Sequence, residues 1–431
     1  RSARKSGKGF DEIVAAVCLG VHSRDDTIHL RVAQCLLGFA KCTEVGLHHT
    51  SLLASVRTLY NIYLNAKSPG TTTTARAALA QIINSVFATL EEEAQASFLK
   101  SSEVESLRNL ATRAAPPPAD KMTTLPSEDA RGQGFQEGKG VQESFGEGEE
   151  DASELGEGGE FGTVAQRDAY LLLRALCKLS LKEIADDCTA DSVPYRSKLL
   201  ALELLHSITK SSGLAFYHID KFIYAIRHYL FPSVIANSMS VFFPIVETAL
   251  DIFEILFLRI ELRSLLKLEV ESIFQTVIFR FLDSPTAGAM RRKRVLLLLS
   301  RAAADPQTLA DLFVNYDCDV EAINIFEKTL ARLSSLAQSA PSDTASIAST
   351  TSTTATDVHT LALQSVVSAI TSLRDWSRPI EDARGSAIAK AELFSPPEAA
   401  PEGYDGGAEE AAGGRRSAGA EGAGGRRSVA A

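Results

Sequence analysis

The sequence predicts an all-α fold: an irregular armadillo- or HEAT-like α-solenoid with a disordered linker and a disordered C-terminal tail. Three observations predict it. Apolar residues recur at three- and four-residue spacing through two long blocks, as one face of a 3.6-residue helix demands. The apolar–polar alternation of a half-buried strand is missing from both blocks. No fixed period of the tetratricopeptide or ankyrin kind repeats along the chain, which leaves helix pairs of uneven length stacked in series.

The elements follow in order. Residues 1–115 read as a first helical domain, in which Ile13, Val14, Val17 and Val21 make one face, Val32, Leu36 and Phe39 a second, and Leu52, Leu53, Val56, Leu59, Tyr60 and Tyr63 a third. Gly46 with the His48–His49 pair, and Ser68-Pro69-Gly70, punctuate it. In residues 116–165 the periodicity stops. Between Glu128 and Glu160 eleven Asp or Glu face only Arg131 and Lys139, interleaved with glycines, which predicts a solvated, disordered linker. Its Gly138-Lys139-Gly140 fails as a phosphate loop, because Gln133 stands at the first glycine position and Gly140 replaces the Ser or Thr.

Residues 166–340 return to helical spacing, from Leu171, Leu172, Ala175, Leu176 and Leu179 through Leu199 to Leu205 and on to Ile252, Ile255, Leu256 and Leu258. The greasiest stretch, Val241 to Ile260, carries Glu247, Asp251, Glu254 and Arg259. Each acidic group at mid-membrane would cost about 2.5–3.5 kcal/mol, so the stretch predicts a buried helix. A Ser/Thr-rich connector, 341–356, leads to one amphipathic helix over 357–377, and residues 378–431 read as a Gly/Ala-rich disordered tail ending in the near-duplicates GGRRSAGA and GGRRSVAA.

Composition narrows function. At 431 residues, 45% hydrophobic and 23% charged, the chain can bury more than one core. A formal charge of −10 argues against nucleic acid as a partner. Six cysteines without a CxxC pair fit a reducing compartment and small core positions. No nucleophile with its base, no paired carboxylates in a pocket and no phosphate cradle is visible, which predicts neither catalytic residues nor a cofactor. The eight histidines lack ligand spacing, so no metal site is expected either. The basic run Arg291-Arg292-Lys293-Arg294 abuts Val295 to Leu299 and reads as the wet start of a helix more readily than as a localisation signal or a lipid contact.

The sharpest local sequence is Asn315-Tyr316-Asp317-Cys318-Asp319, placed before an apolar-periodic run through Ile323, Phe326, Leu330 and Leu333. Asp317 or Asp319 can accept from the free N–H groups of that helix start, where negative charge is also favoured by the dipole. Tyr316 and Cys318 are then expected to turn inward and hold the loop.

Those five residues, inside DLFVNYDCDVEAINIFEKTLARLSSLAQ, resemble the signature box of the "homology upstream" (HUS) domain of large Arf guanine-nucleotide exchange factors, and the Ile325-Phe326-Glu327 continuation resembles the brefeldin-A-inhibited branch. Leu266 to Leu282 and the run from Arg291 to Phe313 fit the same domain. Ser51 to Phe87, with Tyr60, Asn61, Ile62 and Tyr63, resembles the "dimerisation and cyclophilin-binding" (DCB) domain that precedes HUS in that family, and Leu361 to Ser377 resembles the helix after it.

The resemblance implies one armadillo-like regulatory unit that self-associates through the DCB-like domain and binds Arf or Arf-like small GTPases. It also implies a cytoplasmic protein peripherally attached to Golgi or trans-Golgi membranes. Asn315 to Asp319 would be the element linked with contacts between the two domains, and Tyr60 to Tyr63 the matching motif, as core residues. The tract Thr71 to Thr74 and the missing first helix or helices suggest an incomplete DCB domain. The 55 residues after Trp376 (431 − 376) are too few and too poor in apolar side chains for a typical exchange domain, so the chain as given is expected to lack exchange activity. A gene-model truncation, a natural scaffold that never had an exchange domain and, last, an unrelated enzyme are the alternatives.

Overall fold

The computed structural model describes residues 2–41, 47–113, 161–185, 188–284, 288–338 and 357–378, and for 2–8 and 101–113 the backbone alone. Among these residues every regular element is helical and none is a strand, so the fold is all-α. Most of the acidic linker, the Ser/Thr-rich connector and the tail lie outside the described residues.

The first block comprises α1 (Ser2–Cys18), α2 (Asp26–Ala40), α3 (His49–Asn65) and the 45-residue α4 (Pro69–Arg113). Asp25 starts α2 by accepting the Thr27 N–H at 2.8 Å. Its neighbour Asp26 accepts the backbone N–H groups of Lys67 and Ser68 at 3.0 and 2.6 Å, tying the start of α2 to the start of α4. Pro69 follows at the one helical position where a missing N–H costs nothing. Thr71 is buried against Asp26, and the hydroxyls of Thr72, Thr73 and Thr74 donate to the carbonyls four residues back at 3.1, 2.8 and 2.8 Å, making the tract the ordered first turns of α4. Leu36, Leu59, Ile62, Leu79, Ile82 and Ile83 fill the space between α2, α3 and α4, whereas Ile13 points largely to solvent while Val14 is buried.

The second block opens with α5 (Val164–Leu181) and α6 (Val193–Ser211), capped by Thr163 and by Ser192 with Pro194 behind it. It continues through α7 (Ala215–His218), α8 (Asp220–Ala225), a π turn at Ile226–Leu230, α9 (Phe231–Ser238), α10 (Phe243–Leu258), α11 (Ile260–Arg263), α12 (Lys267–Ile273), a second π turn at Phe274–Ile278 and α13 (Phe279–Asp283). It closes with α14 (Ala289–Ala304), α15 (Pro306–Leu312), a third π turn at Phe313–Asp317, α16 (Ile325–Gln338) and a last helix, α17, over 357–378.

Phe231, Phe253, Phe257 and Phe274 are buried with ring centroids 5.4–6.4 Å apart, mostly edge to face, which adds to the area they remove from water. The acidic residues of α10 have their own explanation. Buried Glu254 accepts from Arg294 at 2.6 Å and from Arg301, and Asp251 also pairs with Arg294, so the charges on this greasy helix face partners on α14. Among the described residues no helix is long and apolar enough to cross a membrane.

Both blocks share one hydrophobic core, running from Val14 in α1 to Ala362 in α17. A satellite cluster of Ala303, Leu309 and Ala369, flanked by Phe326, Leu330 and Leu373, seats α17, with Ser372 Oγ donating to the Ala303 carbonyl at 2.9 Å. Arg1–Ser377 thus makes one compact unit.

Candidate functional site

What a helical scaffold can do depends on what fixes the angle between its halves. The seam here is made by α3 and α4 of the first block against α5, α6 and α7 of the second. On α3, buried Tyr60 donates its hydroxyl to the Ser197 carbonyl and lies 3.0 Å from Ser197 Oγ. Burial pushes the Tyr60 phenol far above its ordinary range, which keeps it a neutral donor. Three residues on, Arg196 of α6 donates to the carbonyls of Tyr63 and Leu64 at 2.8 and 3.4 Å and lays its guanidinium 5.1 Å from the centre of the Tyr63 ring. Those carbonyls belong to the last turn of α3, where a cation both satisfies orphan acceptors and opposes the negative dipole end. Ile62 is fully buried and Asn61 half-buried on the same helix.

On α4 the decisive residue is Glu91. Its carboxylate accepts three consecutive backbone N–H groups at the start of α7: Gly213 at 3.1 Å, Leu214 at 2.7 Å and Ala215 at 3.1 Å. The approach needs glycine, since a Cβ at position 213 would stand 2.5 Å from Glu91 Oε1 and 2.9 Å from its Cδ. Beside this latch Ser207 Oγ donates to Asn84 Oδ1 at 2.9 Å, Arg76 pairs with Glu203 at 2.8 Å, and Phe87 meets Phe216 edge to face at 6.2 Å. At the far end of the seam Asp168 of α5, almost fully buried, accepts from His48 Nδ1 at 3.1 Å and from the His49 backbone N–H at 3.0 Å.

The box Asn315 to Asp319 stands elsewhere. Asn315, Tyr316 and Asp317 form the third π turn with Phe313 and Val314, a wide turn that sequence spacing did not disclose. Asp317 caps α16 from a distance, accepting the N–H groups of Phe326 and Glu327 at 2.9 Å each. Asp319 accepts from Glu321 N at 3.0 Å and pairs with Lys267, which together hold its carboxyl below the usual range. Tyr316 turns inward, as expected, and donates to the Lys267 carbonyl at 3.0 Å. Cys318 does not turn inward: it is exposed, because the wide turn that buries Tyr316 carries the residue two places on to the opposite side. The hydrogen bonds and ion pairs described for the box stay inside the second block, on α12 and α16, whereas the side chains that bridge the two blocks include those of the Tyr60 motif, Asn84, Arg76, Glu91 and the His48–His49 pair.

The basic run is absorbed by the fold. Arg291 donates to the carbonyls of Ser240 and Val241 at 2.8 Å, just past the end of α9, and Arg292 to that of Ser284, just past the end of α13, at 2.6 Å. Lys293 pairs with Asp357 of α17 at 2.7 Å, and Arg294 with the α10 acids. Among the described residues Cys18, Cys35, Cys177, Cys188 and Cys318 are free thiols, and no group of three or more His, Cys, Asp or Glu side chains comes together as a metal site.

Two family models match the chain, one on each side of the acidic stretch. Residues 4–94 match "Mon2/Sec7/BIG1-like, dimerisation and cyclophilin-binding domain", and residues 165–325 match "Mon2/Sec7/BIG1-like, HUS domain". The chain carries the DCB and HUS domains of the Mon2/Sec7/BIG1-like family. Similar curated proteins include the rat brefeldin A-inhibited guanine nucleotide-exchange protein 1, 33% identical over 51% of this chain and 12% of that protein. They also include the Arabidopsis thaliana brefeldin A-inhibited guanine nucleotide-exchange protein 3, 28% identical over 85% of this chain and 24% of that protein. The chain therefore spans about an eighth to a quarter of the length of these relatives. A solved engineered protein aligns over 84% of the chain at 13% identity and a TM-score of 0.30, too distant to carry an argument.

In these terms the seam is the DCB–HUS seam. Sequence reasoning missed Glu91, Gly213 and Asp168 altogether. Glu91 stands in the run Glu91-Glu92-Glu93, which reads as a solvated face, and its partners lie more than 120 residues away, so no local signal marks it.

Proposed function

We propose that this chain is the regulatory and membrane-recruitment scaffold of an Arf guanine-nucleotide exchange factor, acting in Golgi and endosomal vesicle trafficking and lacking exchange activity itself. The observation that carries the proposal is the order of the two matched domains, DCB before HUS, in a chain whose described part is one compact helical unit. The relatives' names supply the reaction class, and the DCB description supplies self-association. Solenoids engage macromolecules along extended faces rather than in deep pockets, which suits recognition of a small GTPase on a peripheral membrane. Within this reading Tyr60 to Tyr63 join the two domains, and Asn315 to Asp319 hold the HUS end in shape for a partner.

The test is retention of Arf and Arf-like GTPases, loaded with GTP or GDP, on the immobilised chain, beside nucleotide release with and without it. GTP-dependent retention without faster release is the expected result. Accelerated release would overturn the statement that exchange resides elsewhere, and no retention of any GTPase in either state would overturn recruitment by them.

A further inference from the structure

We propose that the start of α3 and the start of α5 form a proton-dependent latch, in which His48 and His49 close on the buried carboxylate of Asp168 and opening of this end of the DCB–HUS seam is governed by protonation of His48.

Asp168 is an acid with little water, its side chain 2% exposed, and its described hydrogen bonds come from across the seam. His48 Nδ1 stands 3.1 Å from Oδ2, the His49 backbone N–H donates to Oδ1 at 3.0 Å, and His49 Nδ1 lies 3.5 Å from Oδ1. The two imidazoles are about half exposed, so protons reach them freely while the carboxylate they serve stays buried. His49 also holds φ at 50°, a left-handed conformation that an L residue adopts at a cost and that here aims its N–H at Asp168.

The charged groups facing His48 are carboxylates from three different helices: Asp168 on α5, Glu93 on α4 and Asp11 on α1. Among the described residues His49, the first of α3, stands beside it. One oxygen of Glu93 is buried without a hydrogen-bond partner, which sharpens the local demand for positive charge. The hydrogen bond to Asp168, ahead of the opposing cost of burial, raises the His48 imidazole above its ordinary range.

The sign follows. A histidine raised on closing contributes its full share below the value of the open state, near 6.5, and loses it as pH rises through the closed-state value. Neutral His48 keeps its hydrogen bond to the carboxylate by holding the proton on Nδ1, but the ion-pair attraction is gone. Because the imidazole is half exposed, the effect is a few-fold change in the opening equilibrium, not an all-or-none switch. Because Glu91 and Tyr60 hold the rest of the seam, opening is confined to the α3 and α5 starts.

The experiment is hydrogen exchange on the full chain at matched chemical exchange rates between pH 5.5 and 8.5, read on the first turns of α3 and α5, together with NMR titration of the histidines. A few-fold loss of protection there as pH rises, flattened in His48→Asn, with a His48 titration midpoint above that of an unstructured histidine, is the expected result. A profile unchanged in His48→Asn, or a midpoint at or below the unstructured value in the wild-type chain, would overturn the latch. The titration needs no variant, so it decides the matter even if a substitution unfolds the protein.

Discussion

The DCB–HUS seam and the box at Asn315 to Asp319 are both built from carboxylates that receive backbone N–H groups, yet they work over different distances. In the box, Asp317 reaches nine and ten residues ahead and Tyr316 turns onto Lys267 of the same domain. In the seam, Glu91 reaches more than 120 residues to Gly213, Leu214 and Ala215. Loss of a box contact should therefore loosen a junction inside one domain, while loss of a seam contact should weaken the junction between two. The box at Asn315 to Asp319 does a local task, and the long-range one is shared between the Tyr60 motif and residues that no motif marks.

The largest effect is expected at Gly213. Gly213→Val places a side chain where the Glu91 carboxylate stands; the carboxylate can swing aside, so the cost, about 1.5–3 kcal/mol, is mainly that of the charged hydrogen bonds lost with it. Chemical denaturation measures it, and a cost below that of Asp317→Ala would erase the distinction drawn here. Glu91→Ala should cost about 1.5–3 kcal/mol, since hydrogen bonds to a charged acceptor are worth more than neutral ones and three donors lose theirs together. It should also raise hydrogen exchange in α7 without altering α16.

Asp317→Ala should cost about 1–2 kcal/mol, the range of a lost helix cap, with the reverse pattern: faster exchange at the start of α16 and an unchanged seam. Tyr60→Phe removes the phenol's neutral hydrogen bonding to Ser197 across the seam and should cost about 1 kcal/mol. Paired with Glu91→Ala, both Tyr60→Phe and Asp317→Ala should add, because neither shares a partner with Glu91. The smallest effect is expected from Asp319→Asn, whose partnership with Lys267 is solvated. Its stabilising share is present above the unfolded carboxyl value and lost as pH falls through the lowered folded one, so the variant should differ from wild type only at neutral pH and should merge with it in acid.

Much of this was legible in the sequence. The helices of both blocks follow from three- and four-residue spacing, and Asp317 is readable as a cap because it precedes an apolar-periodic run. Tyr60 belongs to the core, as its position on the third apolar face indicated, and so does Ile62, which only the family motif had marked as core. What failed was whatever depends on an unseen partner. Glu91 looks like surface charge until α7 is brought to it, and the same holds for the four-residue basic run, each of whose cations finds a carbonyl or a carboxylate supplied by other elements. Cys318 was misplaced for a different reason: two residues apart on a helical turn, Tyr316 and Cys318 face opposite ways, so the turn that buries one exposes the other.

The central claim is that DCB and HUS unfold as one unit because the seam joins their cores. Equilibrium unfolding in urea, followed at once by far-ultraviolet circular dichroism and by hydrogen exchange in α3 and α10, tests it most directly. One shared transition in the wild-type chain, moved as a whole to lower urea by Gly213→Val, is the predicted result. Two separate steps already present in the wild-type chain, with midpoints that Gly213→Val leaves in place, would contradict it.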